Sequence, residues 1–202
     1  VDTGATWTTL NVGIAADSIG RIGIDLCRTQ PNIMYAVIVS AKGTSNLKAI
    51  VKTTDGGNTW VKTSNASTPN FFSSYGWYLV DIAVDPSNPN RILSGGVGLY
   101  MSTDGGYVWS ARSGLHVDQH AIEFSPSDNK VVYIGNDGGF YKSTNSGSTY
   151  TSLNDNLPIS QFYELGIAPQ DVNLMGGGMQ DNGSWAKRNA SPSWTSSTGG
   201  DG

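Results

Sequence analysis

One short pattern recurs along the chain and limits what it can fold into. Thr53-Thr54-Asp55-Gly56-Gly57-Asn58-Thr59-Trp60 has the form S/T-x-D-x-G-x-T-W, and Ser102 to Trp109 repeats it with Asp104, Gly106 and Trp109. Ser143 to Tyr150 is a degenerate copy with Asn145, Gly147 and Tyr150, and Asp2 to Trp7 is the tail of another. The copies lie roughly 40 to 55 residues apart, the length of a four-stranded propeller blade.

The pattern has a mechanical reading. A carboxylate at the Asp position can accept the backbone N–H groups of its own turn. Glycine supplies a positive φ. The aromatic residue opens the next strand and buries a large ring. The pattern is therefore a hairpin clasp. Asp55 and Asp104 are structural, because a repeated turn residue cannot be a unique acid.

A second pattern lies upstream of each clasp. Asp81 to Leu93, with Pro86-Ser87-Asn88-Pro89-Asn90 in the middle, reads as strand, Pro/Asn turn, strand. The segments 24–35, 122–133 and 165–175 repeat it. The expected fold is all-β, a propeller of four-stranded antiparallel blades over residues 1–202. Its units lie near 20–66, 77–113, 119–155 and 162–198, with residues 1–12 as the outer strand of a preceding blade. That surplus strand favours an arc of about four blades from a larger propeller of seven or more. Charged residues make up only 14% of the chain and glycine numbers 26, which suits short strands and tight turns. An open arc exposes apolar sheet faces at both ends.

The same composition excludes some functions. The net charge is −4 with no basic run, so nucleic acid has no electrostatic footprint. No apolar stretch approaches the roughly 20 residues that cross a bilayer. The single cysteine, Cys27, allows no internal disulfide and reads as a small buried apolar residue. Asn65-Ala66-Ser67 and Asn182-Gly183-Ser184 fit the glycosylation pattern.

The clasps resemble the Asp-box, or BNR-type, repeats of sialidase-like propellers. More specific is the order His116-Val117-Asp118-Gln119-His120, Gly135-Asn136-Asp137-Gly138-Gly139, Asn156 to Tyr163, and Gly178-Met179-Gln180-Asp181-Asn182-Gly183-Ser184-Trp185. It is similar to the bacterial BNR-repeat "glycosyl hydrolase" proteins, which are similar in turn to sortilin-type propellers and Asp-box xyloglucanases. The resemblance implies a secreted or cell-surface propeller that acts on or binds polysaccharide. True sialidases use an arginine triad. Here Arg21, Arg28, Arg91, Arg112 and Arg188 are scattered, and sialidase activity is disfavoured. Arg28 and Arg91, beside the Asn/Pro loops, read as solvated surface residues.

Strand alternation sorts the loops onto two ends of the sheets. The Asn/Pro loops and the clasps share one end, and the remaining connections share the other. His116, Asp118, His120, Asn136, Asp137, Gln180, Asp181, Asn182 and Asp201 all fall at that second end and form the candidate site. Asp118, Asp137, Asp181 and Asp201 are the candidate catalytic carboxyl groups, since glycoside hydrolysis needs two across the scissile bond. Glu123 and Glu164 lie in first strands and could line the channel. His116, His120, Asn136, Gln180, Asn182 and Trp77 are the candidate ligand contacts. Trp77, Tyr75, Tyr78 and Phe162 could stack on sugar rings or serve as packing.

If His116-x-Asp118-x-His120 is extended, its three side chains share one side. Two imidazoles and a carboxylate are a donor set for Zn²⁺ or another divalent ion. In the competing reading they are a hydrogen-bonded rim, with His120 in phase with Ile122 and Phe124. Asp137 and Asp181 could be turn residues or part of a Ca²⁺-type oxygen cluster. The sequence requires no cofactor, and a divalent cation is the one these residues admit. Two functions remain open, a polysaccharide-active hydrolase and a non-catalytic propeller binding glycan or protein outside the cell.

Overall fold

The computed structural model describes residues 3–7, 9, 18–41, 43, 45–157, 159–188, 190 and 193–202. Half of the outer strand expected over residues 1–12 falls outside them. Of its described part, residues 3–6 form turn and bend, and Trp7 is exposed.

Among the described residues the regular elements are strands, and they form four four-stranded antiparallel sheets. The first holds β1 (Ile19–Leu26), β2 (Met34–Ser40), β3 (Leu47–Thr53) and β4 (Val61–Lys62) in chain order. The second holds β5 (Asp81–Val84), β6 (Ile92–Gly95), β7 (Leu99–Ser102) and β8 (Ser110–Ala111). The third holds β9 (Gln119–Phe124), β10 (Val132–Asn136), β11 (Gly139–Ser143) and β12 (Thr151–Ser152). The fourth holds β13 (Phe162–Ala168), β14 (Asp171–Met179), β15 (Gly183–Lys187) and β16 (Trp194–Ser196). The four-stranded blades expected from the sequence are present.

Two seams between sheets are filled by apolar side chains. Tyr35, Val37, Val39 and Ile50 of the first sheet pack on Ile82, Val84 and Ile92 of the second. Ala83, Leu93 and Leu99 of the second pack on Ile122, Phe124 and Ile134 of the third. This is why β2 (Met-Tyr-Ala-Val-Ile-Val-Ser) is a continuous apolar run and does not alternate. It is covered on both faces. Among the described residues no such cluster joins the third sheet to the fourth, and Leu165 and Ile167 of β13 are exposed. Ile22 and Ile24 of β1 are exposed as well.

The clasps act as their chemistry dictates. Asp55 Oδ1 accepts the Thr59 N–H at 2.9 Å, Thr59 Oγ1 donates to Asp55 Oδ2 at 2.6 Å, and the Gly57 N–H donates to Thr53 Oγ1 at 2.9 Å. Asp104 Oδ1 takes the Tyr107 and Val108 N–H groups at 3.1 and 3.0 Å. In the degenerate copy Asn145 Oδ1 accepts the Thr149 N–H at 2.9 Å, and its Nδ2 donates to Thr149 Oγ1 at 2.8 Å. The indoles of Trp60 and Trp109 donate to Gly57 O and Gly106 O at 3.1 and 2.9 Å. Tyr150 has no indole N–H to offer, and its buried hydroxyl finds no partner.

Each clasp is also tied to the Asn/Pro loop of its own sheet. The bonds are Gly56 N to Asn32 O, Gly105 N to Asn90 O and Ser146 N to Lys130 O. The two loop sets therefore share one end of the sheets. Those loops carry a charge arrangement that corrects the surface reading of Arg91. Asp85 is fully buried, and Arg91 Nη1 meets its Oδ2 at 2.8 Å. Asn129 of the third sheet's loop reaches both oxygens of the same carboxylate, at 3.2 and 3.3 Å. Arg28 keeps a surface position, in an exposed pair with Glu123 at 3.9 Å. Cys27 is fully buried.

Candidate functional site

The opposite end of the sheets gathers the candidate residues. His116 Nε2 lies 2.9 Å from Asp181 O and its Nδ1 lies 3.1 Å from Val117 O. His120 Nε2 pairs with Asp137 Oδ1 at 2.6 Å. Asn182 Nδ2 donates to Asp137 O at 3.1 Å and to Gln180 O at 3.0 Å. Asp201 Oδ1 accepts the Asp181 N–H at 3.0 Å. Asn136 Nδ2 donates to His116 O at 3.1 Å. A chain of direct bonds thus links the third and fourth sheets at this end.

Several local features hold the arrangement. Asp118 and Asp181 adopt left-handed backbone conformations, with φ of 62° and 56°. Asp tolerates these better than most residues, but they remain unusual and cluster at functional sites. Gly138 sits so close to His116 that any side chain there would collide with the histidine Cβ and ring. Asn154 braces the same turn, accepting the Phe140 N–H and donating to Gly138 O, both at 2.7 Å.

The conformation of Asp118 corrects one expectation. The segment His116–His120 is not extended, since β9 begins only at Gln119, and strand alternation does not line up its three side chains. Both ring nitrogens of His116 face backbone carbonyls. Among the described residues no group of three His, Cys, Asp or Glu side chains is placed to hold a metal ion. The proposed His116, Asp118 and His120 triad is not assembled.

A bulge also overrides the simple phase count in β9. Gln119 pairs with Asn136 and Ala121 with Gly135, leaving His120 as the extra residue. Gln119 is therefore the buried side chain, and His120 is turned outward. Gln119, which the pattern alone did not single out, donates to His116 O at 2.7 Å and accepts from Asn136 at 3.2 Å. It is the buried strut of the site.

Aromatic rings flank the polar cluster. The Tyr78 ring meets His120 edge-on at 5.3 Å, and Trp77 lies against Tyr78 at 5.5 Å. Trp77, Tyr75 and Tyr78 are all exposed. Trp77 is thus a surface ring set against Tyr78, which in turn meets His120. Gln180 and Asp181 line a small groove of about 170 Å³ with Asp137, Gln161 and Asn182.

Burial and crowding raise two of the carboxyl groups at this end. Burial, followed by the Asp137 and Asp181 carboxylates, raises the Asp118 carboxyl above the usual range. Burial, followed by Asp137 and Asp201, does the same for Asp181. Crowded carboxyl groups cannot all ionise freely, and a carboxyl group that keeps its proton can act as a general acid.

A second set of acids was not singled out from the pattern. Asp25 Oδ2 accepts the Val84 N–H across the first seam at 2.7 Å. Asp81 accepts the Ile82 N–H at 2.9 Å and faces the Ile122 N–H across the second seam. First strands of adjacent sheets are not hydrogen-bonded to each other. Their spare N–H groups need acceptors, and these carboxylates are latches. Glu123 and Glu164 are exposed on their first strands.

No protein-family model matches the chain, and no curated protein matches it. Solved structures do. The GH74 enzyme of Niastella koreensis superposes with a TM-score of 0.52 at 24% identity, over 88% of this chain and 30% of that one. The GH74 xyloglucanase of Xanthomonas campestris superposes with a TM-score of 0.51 at 14% identity, over 89% of this chain and 32% of that one. The chain has a β-propeller fold. It spans about a third of the length of these propeller enzymes. At such identities the likeness establishes the fold, and the function rests on the site.

Proposed function

We propose that the His116–Asp201 end of this propeller binds glycan chains and acts on them as a glycoside hydrolase of the BNR-repeat, Asp-box kind. One observation carries the reading. Four carboxyl groups converge beside exposed aromatic rings, and two of them, Asp118 and Asp181, are raised above the usual range. A carboxylic acid that keeps its proton can protonate a leaving oxygen, while a neighbouring carboxylate serves as base or nucleophile. Trp77 and Tyr78 offer flat apolar faces of the kind that pack on pyranose rings. Clasps built as Asp-boxes, a propeller fold and GH74 neighbours agree with it, and the reading fits a secreted or surface protein.

A specific observation favours the non-catalytic alternative. Asp137 is engaged by His120 and Asp201 by the Asp181 N–H, as fits carboxylates that shape a binding surface. The experiment compares Asp118→Asn, Asp137→Asn, Asp181→Asn and Asp201→Asn on a panel of soluble polysaccharides. Reducing-end release and binding by affinity electrophoresis are measured together. Loss of release with retained binding in at least one variant supports the hydrolase. Binding without release in the parent protein supports the scaffold. Full release and full binding in all four variants would refute the site.

A further inference from the structure

The seam between the third and fourth sheets differs from the other two. Where those are filled by apolar clusters, this one holds no such cluster among the described residues, and the fourth sheet carries a cavity of about 390 Å³ there. Phe162, Met179, Trp185 and Trp194 line it, along with Ile159 from the strand connection, and Ser160 and Asn182 are its polar lining residues. Phe162 and Trp194 lie with ring centroids 6.0 Å apart at 47°. The Trp185 indole is pinned by a bond from Nε1 to Asn182 O at 2.7 Å.

The cavity adjoins the carboxylate groove. Ile159 and Asn182 line both. Asn182 is fixed at the boundary by its bonds to Asp137 O and Gln180 O. One side of the boundary is walled by aromatic rings and the other by Asp137, Gln161, Gln180 and Asp181. The volume lies in the range of small-molecule sites.

We infer that the two compartments together take an amphipathic glycoside. An aromatic aglycone occupies the Trp185/Trp194 pocket and its sugar occupies the carboxylate groove. A bare pyranose does not suit the aromatic side, because each buried hydroxyl needs a partner and that side offers only Ser160 and Asn182. An aromatic ring needs none, and it gains from burial against Trp185, Trp194 and Phe162. The groove has the acceptors and donors that sugar hydroxyls require. The inference rests on the glycan reading of the groove and adds the class of ligand.

The test uses isothermal titration calorimetry on the protein with three probes, 4-nitrophenyl β-glucoside, methyl β-glucoside and 4-nitrophenol, together with their β-xyloside counterparts. The 4-nitrophenyl glycoside should bind at least tenfold tighter than either the methyl glycoside or 4-nitrophenol. Trp194→Ala should erase that preference and leave methyl glycoside binding intact. Asp181→Asn should weaken both glycosides and leave 4-nitrophenol unchanged. Trp194→Phe and Phe162→Leu serve if Trp194→Ala fails to fold, and Phe162→Leu should reduce the preference. Equal affinity for aryl and methyl glycosides would overturn the aglycone pocket and leave the glycan reading standing. Equal affinity for the aryl glycoside and 4-nitrophenol would show an apolar pocket unconnected to sugar. Absence of binding by every small probe, with polysaccharide binding retained, would also overturn the inference. Loss of polysaccharide binding as well would overturn the groove reading with it.

Discussion

His116 Nε2 lies 2.9 Å from the main-chain oxygen of Asp181, so a side chain from the connection that enters the third sheet holds a turn of the fourth. With no buried apolar cluster described at that seam, this bond and the Asn182–Asp137 bond are what join the two sheets at the candidate site. Site geometry and sheet assembly are therefore one problem here.

Gly138→Ala tests that coupling without touching a carboxyl group. A methyl there collides with His116, so the imidazole must move and the bond to Asp181 is lost. Hydrogen exchange should speed up at the Asp181 and Gly183 amides while β2 and β6 stay protected. Unchanged exchange at those two amides would show that the seam does not depend on His116.

The clasp predicts a chemical equivalence. Asn145 already makes the bonds that Asp55 makes in its own turn. Asp55→Asn should therefore melt within a few degrees of the parent, and Asp55→Ala clearly lower. The three hydrogen bonds from Thr59 and Thr53, with the Thr59 side chain foremost, hold the Asp55 carboxyl down at about 2. Its contribution is present above the ordinary Asp range near 3.8 and is lost as pH falls through about 2. Acid melts of parent and Asp55→Asn should converge in that window. Parallel curves down to the lowest pH would contradict the assignment.

How much of this was legible follows from what each level of structure depends on. The clasp is local, so Asp55, Gly57 and Trp60 could be read directly, and strand alternation alone placed His116, Asp137 and Asp181 at the same end. The geometry of Asp118 was not legible. A left-handed backbone at one residue and a one-residue bulge at His120 depend on bonds to Val97 O and Gly96 O, made by Asp118 N and Gln119 N to the neighbouring sheet. Those contacts break the alternation from which the metal triad was drawn. Gln119, Asp25 and Asp81 were missed for a related reason. Asp25 and Asp81 reach N–H groups of the next blade and Gln119 braces Asn136 of the next strand, and those contacts leave no mark in the surrounding sequence.

Arg91 and Asp85 make a third prediction. Asp85 is fully buried and its Oδ2 depends on Arg91 at 2.8 Å. Removing one partner of a buried pair leaves a charge without compensation, at a cost of about 3 kcal/mol. The Asn129 contacts recover part of that cost. Arg91→Ala should lower unfolding stability by about 2–3 kcal/mol in urea, and adding Asn129→Ala should cost more than the sum of the single variants. Simple additivity would show that the two side chains do not share the carboxylate.

Asp81 carries the clearest pH signature. Burial, the leading cause, pushes its carboxyl up to about 6, with Glu123 and Asp25 adding to the rise and the Ile82 and Ile122 N–H groups opposing it. The sign follows from proton binding. The folded protein holds a proton on Asp81 that the unfolded chain has already lost near its ordinary value of 3.8. Folding is therefore favoured most below about 3.8, and that part of the stability is lost as pH rises through about 6. Asp81→Asn mimics the protonated acid and can still accept the Ile82 N–H. It should match the parent near pH 4 and melt several degrees higher at pH 7 to 8, with a flatter profile between. Asp81→Ala also removes the charge, but it leaves the Ile82 N–H without its acceptor, so it should be less stable than Asp81→Asn at every pH. If instead Asp81→Asn tracks the parent in parallel from pH 4 to pH 8, Asp81 does not titrate in that window.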